Sequence, residues 1–201
     1  MNKLLLILVL VVILIAGLII GVVCYFEFYE HTTKLDKYTG NGVSFEYPAD
    51  YNLTEVKNNS TVENFPIFNA TKLEISPAFL IATNTKDPNL TFRMSKSPVN
   101  GSIYHGMSLD EYANSLVNDF KSHGWFTTPV NMTMNVDNSS EEVQAYTIGY
   151  TTPQSGSNAI DGHLEMFDKS GIRYIIDFQG KGKDNYDFSG SLQVGTSFNV
   201  L

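Results

Sequence analysis

The sequence predicts an α+β layer domain preceded by one membrane-spanning helix. Three observations carry this: an uncharged apolar run from Leu4 to Phe26, one fully specified amphipathic helix near the middle of the chain, and period-two strands bounded by turn residues on either side of it.

The N-terminal element follows a short leader, Met1-Asn2-Lys3, expected on the cytoplasmic side. The next 23 residues carry no charge and include 18 Leu, Ile, Val or Phe. At 1.5 Å per residue they make a helix of about 34 Å, enough to cross a hydrocarbon core of about 30 Å with some tilt. The run exceeds the 7 to 15 apolar residues typical of a cleaved signal peptide, and cleavage after Ala16 would leave Leu18-Ile19-Ile20 as a greasy tail. Cys24, the only cysteine, follows Gly21-Val22-Val23, where a branched valine stands in place of the small residue a lipoprotein signal wants. An uncleaved anchor is therefore expected, in contact with the bilayer through residues 4–26. Lys3 precedes it and Glu27 and Glu30 follow, which orients the C-terminal side outside the cytoplasm.

Beyond the anchor lie all 21 acidic residues and 12 of the 13 basic ones, a net charge of −9. That balance disfavours nucleic acid as a partner. With one cysteine, no intrachain disulfide is available, so the domain must stand on its core. Eight N-x-S/T triplets, at Asn52, Asn58, Asn59, Asn69, Asn89, Asn100, Asn131 and Asn138, are candidate glycosylation sites and agree with an extracytoplasmic location.

Residues 27–37 read as a short stalk, and the domain as 38–201. Asn41-Gly42, flanked by Tyr38 and Val43, is a two-residue hairpin signal, and the strand Val43 to Tyr47 stops at Pro48. Extended segments are expected at Tyr51 to Val56, Ala78 to Thr85 and Leu90 to Lys96, with Pro66, Pro77, Pro88 and Pro98 excluding a long helix. Ser108-Leu109-Asp110-Glu111 is a capping box. It opens a helix whose apolar stripe is Tyr112, Ala113, Leu116, Val117 and Phe120 and whose stop is Gly124. Strands then follow over Asn131 to Val136, Glu142 to Thr151, Gly162 to Phe167 and Ile172 to Gln179. In the last of these, Ile172, Tyr174, Ile176 and Phe178 alternate with Arg173, Asp177 and Gln179, which predicts one core face and one polar face. From Tyr186 to Leu201 a frayed helix is expected, weakened by Gly190 and Gly195.

Catalytic chemistry is not written in this text. There is no Gly-x-Ser-x-Gly elbow, no phosphate loop and no Cys-His pair, the four histidines are scattered, and no cofactor is expected. The best site candidate is His163-Leu164-Glu165. Positions two apart on a strand share a face, so the imidazole and carboxylate can converge on a divalent metal, against the alternative of a polar outer face. Asp137 to Glu142 and Asp184 to Asp187 are acidic without the alternating oxygen ligands of a calcium loop. A pilin-like N-terminus is excluded because residues 4–26 contain no glutamate.

Three segments carry a resemblance. Val43-Ser44-Phe45-Glu46-Tyr47-Pro48-Ala49-Asp50-Tyr51 resembles the opening Phe-x-Tyr-Pro-x-x-Trp of the PsbP-like proteins, with Tyr51 in place of the usual Trp. Ser108 to Tyr112 resembles their capped middle helix, and Gly171 to Ile176 with Ser197-Phe198 resembles their penultimate strand and closing Ser-Phe. The resemblance spans Val43 to Phe198. It implies an α/β/α sandwich around an antiparallel sheet, in a family of extracytoplasmic accessory proteins with binding and assembly roles rather than a conserved reaction. A docking partner in the cell envelope is the functional expectation, and a metal-binding or metal-dependent hydrolase domain using His163 and Glu165 is its rival.

Overall fold

A computed structural model of the chain describes residues 34–56, 78–136, 142–182 and 189–201. The leader 1–3, the anchor 4–26 and most of the stalk lie outside the described residues. Among the described residues no helix is long and apolar enough to cross a membrane. The compact unit runs from Leu35 to Leu201. Its first strand begins at Leu35, inside the segment expected to be stalk, because Leu35, Asp36 and Lys37 pair with Pro48, Tyr47 and Glu46.

Strands β1 (Leu35–Gly40) and β2 (Val43–Pro48) form the expected hairpin, closed by Asn41 and Gly42 at φ of 51° and 72°. Both turn positions demand the left-handed region, which Asn tolerates and Gly adopts freely. Then come β3 (Tyr51–Glu55), β4 (Ala78–Asn84), β5 (Leu90–Pro98), helix α1 (Leu109–Ser122), β6 (Phe126–Asn135), β7 (Glu142–Thr151), β8 (Ile160–Lys169) and β9 (Ile172–Lys181). Helix α2 (Ser189–Ser197) and a two-residue strand β10 (Asn199–Val200) end the unit.

All pairings are antiparallel. Seven strands form the main sheet in the order β3-β4-β5-β9-β8-β7-β6, and a smaller sheet has the order β1-β2-β10. The architecture is α+β and mostly sheet. Helix α1 covers one face of the main sheet, burying Tyr112, Ala113, Leu116, Val117 and Phe120 against Ile148, Tyr150, Leu164, Met166 and Ile175. The other face meets the small sheet and α2 through Val43, Phe45, Phe92, Phe167, Tyr174, Ile176, Phe178, Val194 and Phe198. The second outer layer is thus largely strand, where a helical layer was expected. The C-terminal segment differs for the same reason: past Ser197 the chain turns extended and adds to β2, with Phe198 stacked on Phe45 at 6.1 Å.

Helix α1 is built as its sequence specifies. The Ser108 Oγ accepts from the Glu111 amide at 3.2 Å, and the Glu111 carboxylate accepts from the Ser108 amide at 2.8 Å. Gly124 at φ 76° turns the chain back toward the sheet. Strand β6 starts at Phe126, well before the expected Asn131, and runs through Pro129. A proline is tolerated there because β6 is the outermost strand.

Candidate functional site

His163 and Glu165 lie on β8, the fifth strand of the main sheet, between β9 and β7. The two side chains approach each other: His163 Nε2 stands 3.5 Å from Glu165 Oε1, and the imidazole stacks on Phe178 with centroids 4.9 Å apart. The pair is not a polar outer face. Their side chains are only 15% and 17% exposed, since this side of β8 faces the α2 layer while Leu164 and Met166 are buried under α1. Among the described residues no group of three or more His, Cys, Asp or Glu side chains gathers to hold a metal ion.

Beside Glu165 is a groove of about 310 Å³, lined by Met132 and Met134 of β6, Ala145 and Thr147 of β7, Glu165 of β8, and Gly195 and Thr196 of α2. Strand alternation creates it. Met132 pairs with Ala145 and Thr147 with Glu165, so these side chains stand on one face, and the Thr147 hydroxyl donates to Met132 Sδ at 3.3 Å. Helix α2 roofs part of it. A β-carbon on Gly195 would fall 2.6 Å from Glu165 Oε2, so the carboxylate occupies space that any other residue at 195 would claim. The groove continues onto an apolar stripe along β6, where Phe126, Val130 and Met132 are 69%, 54% and 44% exposed.

A second polar cluster, on the α1 face, is buried. Arg93 and Asp177 are direct cross-strand partners on β5 and β9. The Tyr150 hydroxyl and the Gln179 amide donate to the two Asp177 oxygens, each at 2.8 Å. Burial raises the Asp177 carboxyl above its ordinary range, with Arg93 pulling the other way, and pushes the Arg93 guanidinium down to about 10. Nearby, Arg173 is fully buried. It donates to both Asp168 oxygens at 2.8 Å and to the Met107 carbonyl at 3.0 Å, between the rings of Tyr104 and Tyr112. The face of β9 expected to be polar is therefore buried, a polar interior beneath α1.

Of the candidate glycosylation sites, Asn52, Asn89, Asn100 and Asn131 are all exposed, and the Asn131 amide donates to the Tyr146 hydroxyl at 3.2 Å. Asn58, Asn59, Asn69 and Asn138 lie outside the described residues, as do the acidic clusters apart from Glu142. Met132, Met134, Thr147 and Gly195 escaped the sequence reading. For the two methionines the signal was the period-two series Phe126, Thr128, Val130, Met132, Met134, cut short by starting the strand at Asn131.

Cyanobacterial PsbP (CyanoP) from Synechocystis sp. PCC 6803 superposes with a TM-score of 0.52 at 17% identity, over 84% of this chain and 94% of that one. The fold is PsbP-like. LpqN, a protein involved in cell envelope biogenesis of Mycobacterium tuberculosis, matches with a TM-score of 0.48 at 11% identity, over 85% and 92% of the two chains. No protein-family model and no curated protein matches the sequence. At such identity the PsbP-like likeness fixes the fold and transfers no role.

Proposed function

We propose that the chain is a non-catalytic accessory module of the cell envelope, tethered by residues 4–26 and docking its PsbP-like domain against another envelope protein. The observation that supports this reading is the outer strand β6. It carries no charged residue over Phe126–Asn135, and its Phe126, Val130 and Met132 side chains are exposed. Long, uncharged, apolar edge strands invite association, and proteins that remain monomeric ordinarily guard them with charge. The location and orientation rest on the apolar run and on Lys3 before it.

The test is site-specific photocrosslinking in native membranes with a photoreactive phenylalanine at position 126, or at position 52 on the opposite edge strand β3. Docking through β6 gives one discrete adduct from position 126, none from 52, and loss of the adduct on Val130→Lys. Equal labelling from both edges, or an adduct indifferent to Val130→Lys, refutes it.

The second reading, a metal-binding or metal-dependent hydrolase domain, is favoured by the 3.5 Å approach of His163 to Glu165. It requires stoichiometric Zn²⁺ or Mn²⁺ binding that His163→Ala abolishes. Calorimetry without heat ends it.

A further inference from the structure

We propose that the groove beside Glu165 is a binding site for a small organic cation, an ammonium group carried on an apolar body. This goes beyond the docking reading and does not depend on it. The volume, about 310 Å³, is at the lower end of small-molecule sites. Two flexible, polarizable thioethers, Met132 and Met134, form one wall and suit an apolar body of variable shape. Among the described lining residues Glu165 is the only one with a charged side chain.

The carboxylate is aimed. His163 Nε2 stands against Oε1 at 3.5 Å, while Oε2 is the atom nearest the missing side chain of Gly195. In a helix interior glycine costs about 1 kcal/mol relative to alanine. Here that sacrifice leaves room for Oε2 beneath α2. The Thr147 hydroxyl donates to Met132 Sδ, and among the described lining residues the carboxylate is the strongest acceptor. An anion would be repelled by Glu165. A neutral apolar molecule would cover a carboxylate without satisfying it, which is costly. A cation with an apolar body meets both requirements.

The test uses the full chain in a non-ionic detergent, labelled with ¹³C at the methionine methyls, titrated with phenethylammonium, 2-phenylethanol or 3-phenylpropionate. Phenethylammonium should move the Met132 and Met134 signals saturably, with 2-phenylethanol at least tenfold weaker and 3-phenylpropionate without effect. Glu165→Gln should weaken phenethylammonium by tenfold or more, to the level of the alcohol, as expected for loss of a charged hydrogen bond. Gly195→Ala, which a helix accommodates, should also weaken it, because the new methyl displaces the carboxylate. Equal binding of alcohol and ammonium by the wild-type chain overturns the proposal. So does an unchanged affinity in a Glu165→Gln protein whose remaining methionine signals are those of wild type. Saturable movement of the two signals by Zn²⁺ but not by phenethylammonium overturns it in favour of a metal. The crosslinking at position 126 reads the docking surface separately, so failure of one leaves the other standing.

Discussion

At the scale of single residues, the buried charges on β9 decide most. Asp177→Ala leaves the Arg93 guanidinium buried opposite a methyl group, and removing one member of a buried pair costs about 3 to 5 kcal/mol. Urea unfolding should show that loss, and the double replacement Arg93→Met with Asp177→Leu should recover most of it. The sign with pH is also fixed. A carboxyl whose folded pKa is raised holds its proton more tightly folded than unfolded. Its contribution is therefore most favourable at low pH and declines as pH rises from about 4 through the raised value. Against an Asp177→Asn control, the wild-type chain should lose relative stability over that window. Arg173→Lys should cost about 2 kcal/mol or more, because an ammonium cannot bond both Asp168 oxygens, reach the Met107 carbonyl and lie flat between two tyrosine rings. None of these charges was legible as interior. Arg173, Asp177 and Gln179 read as the polar side of an alternating strand, and only the position of β9 near the middle of the main sheet, with α1 above it, makes that side a core.

At the scale of elements, local chemistry and outcome agree wherever the signal is short-range. Asn41-Gly42, Ser108 with Glu111, and Gly124 act within a few residues of themselves, and each turn or cap forms as written. Ser108→Ala should destabilise the domain by about 1 kcal/mol, measured by thermal unfolding. Bonds from Ser108 hold the Glu111 carboxyl below its usual range, so this cap contributes above the unfolded pKa and fades as pH falls through the lowered one. The elements read less well are those whose state is set from a distance. β6 continues through Pro129 because an outer strand has a free side for a residue without a donor. Asn199 and Val200 become a strand because β2 offers an edge. His163 and Glu165 were found by alternation, but the groove they border was not, since Gly195 arrives from another element altogether.

At the scale of the whole molecule, the main sheet is a covered layer, with α1 on one side and the small sheet and α2 on the other. This explains why hydrophobic residues serve both faces of its central strands and why no disulfide is needed for a core of this extent. Retention of the apolar run is checked by intact-mass analysis of the mature protein from membranes. The expected mass includes residues 4–26, and a mature start after Ala16 would turn the anchor into a processed signal.

The closure of the small sheet also sets a timetable. The Ser197 hydroxyl accepts from the Glu46 amide across 151 residues of sequence, and Val43 waits for Val200. During synthesis at about 5 to 20 residues per second, Phe45 and its neighbours are exposed for many seconds before Phe198 exists to cover them. A ribosome stalled before Phe198, or a chain cut there, therefore releases a sheet with one greasy side open to water. Such nascent chains should be the ones that chaperones and quality-control proteases seize first.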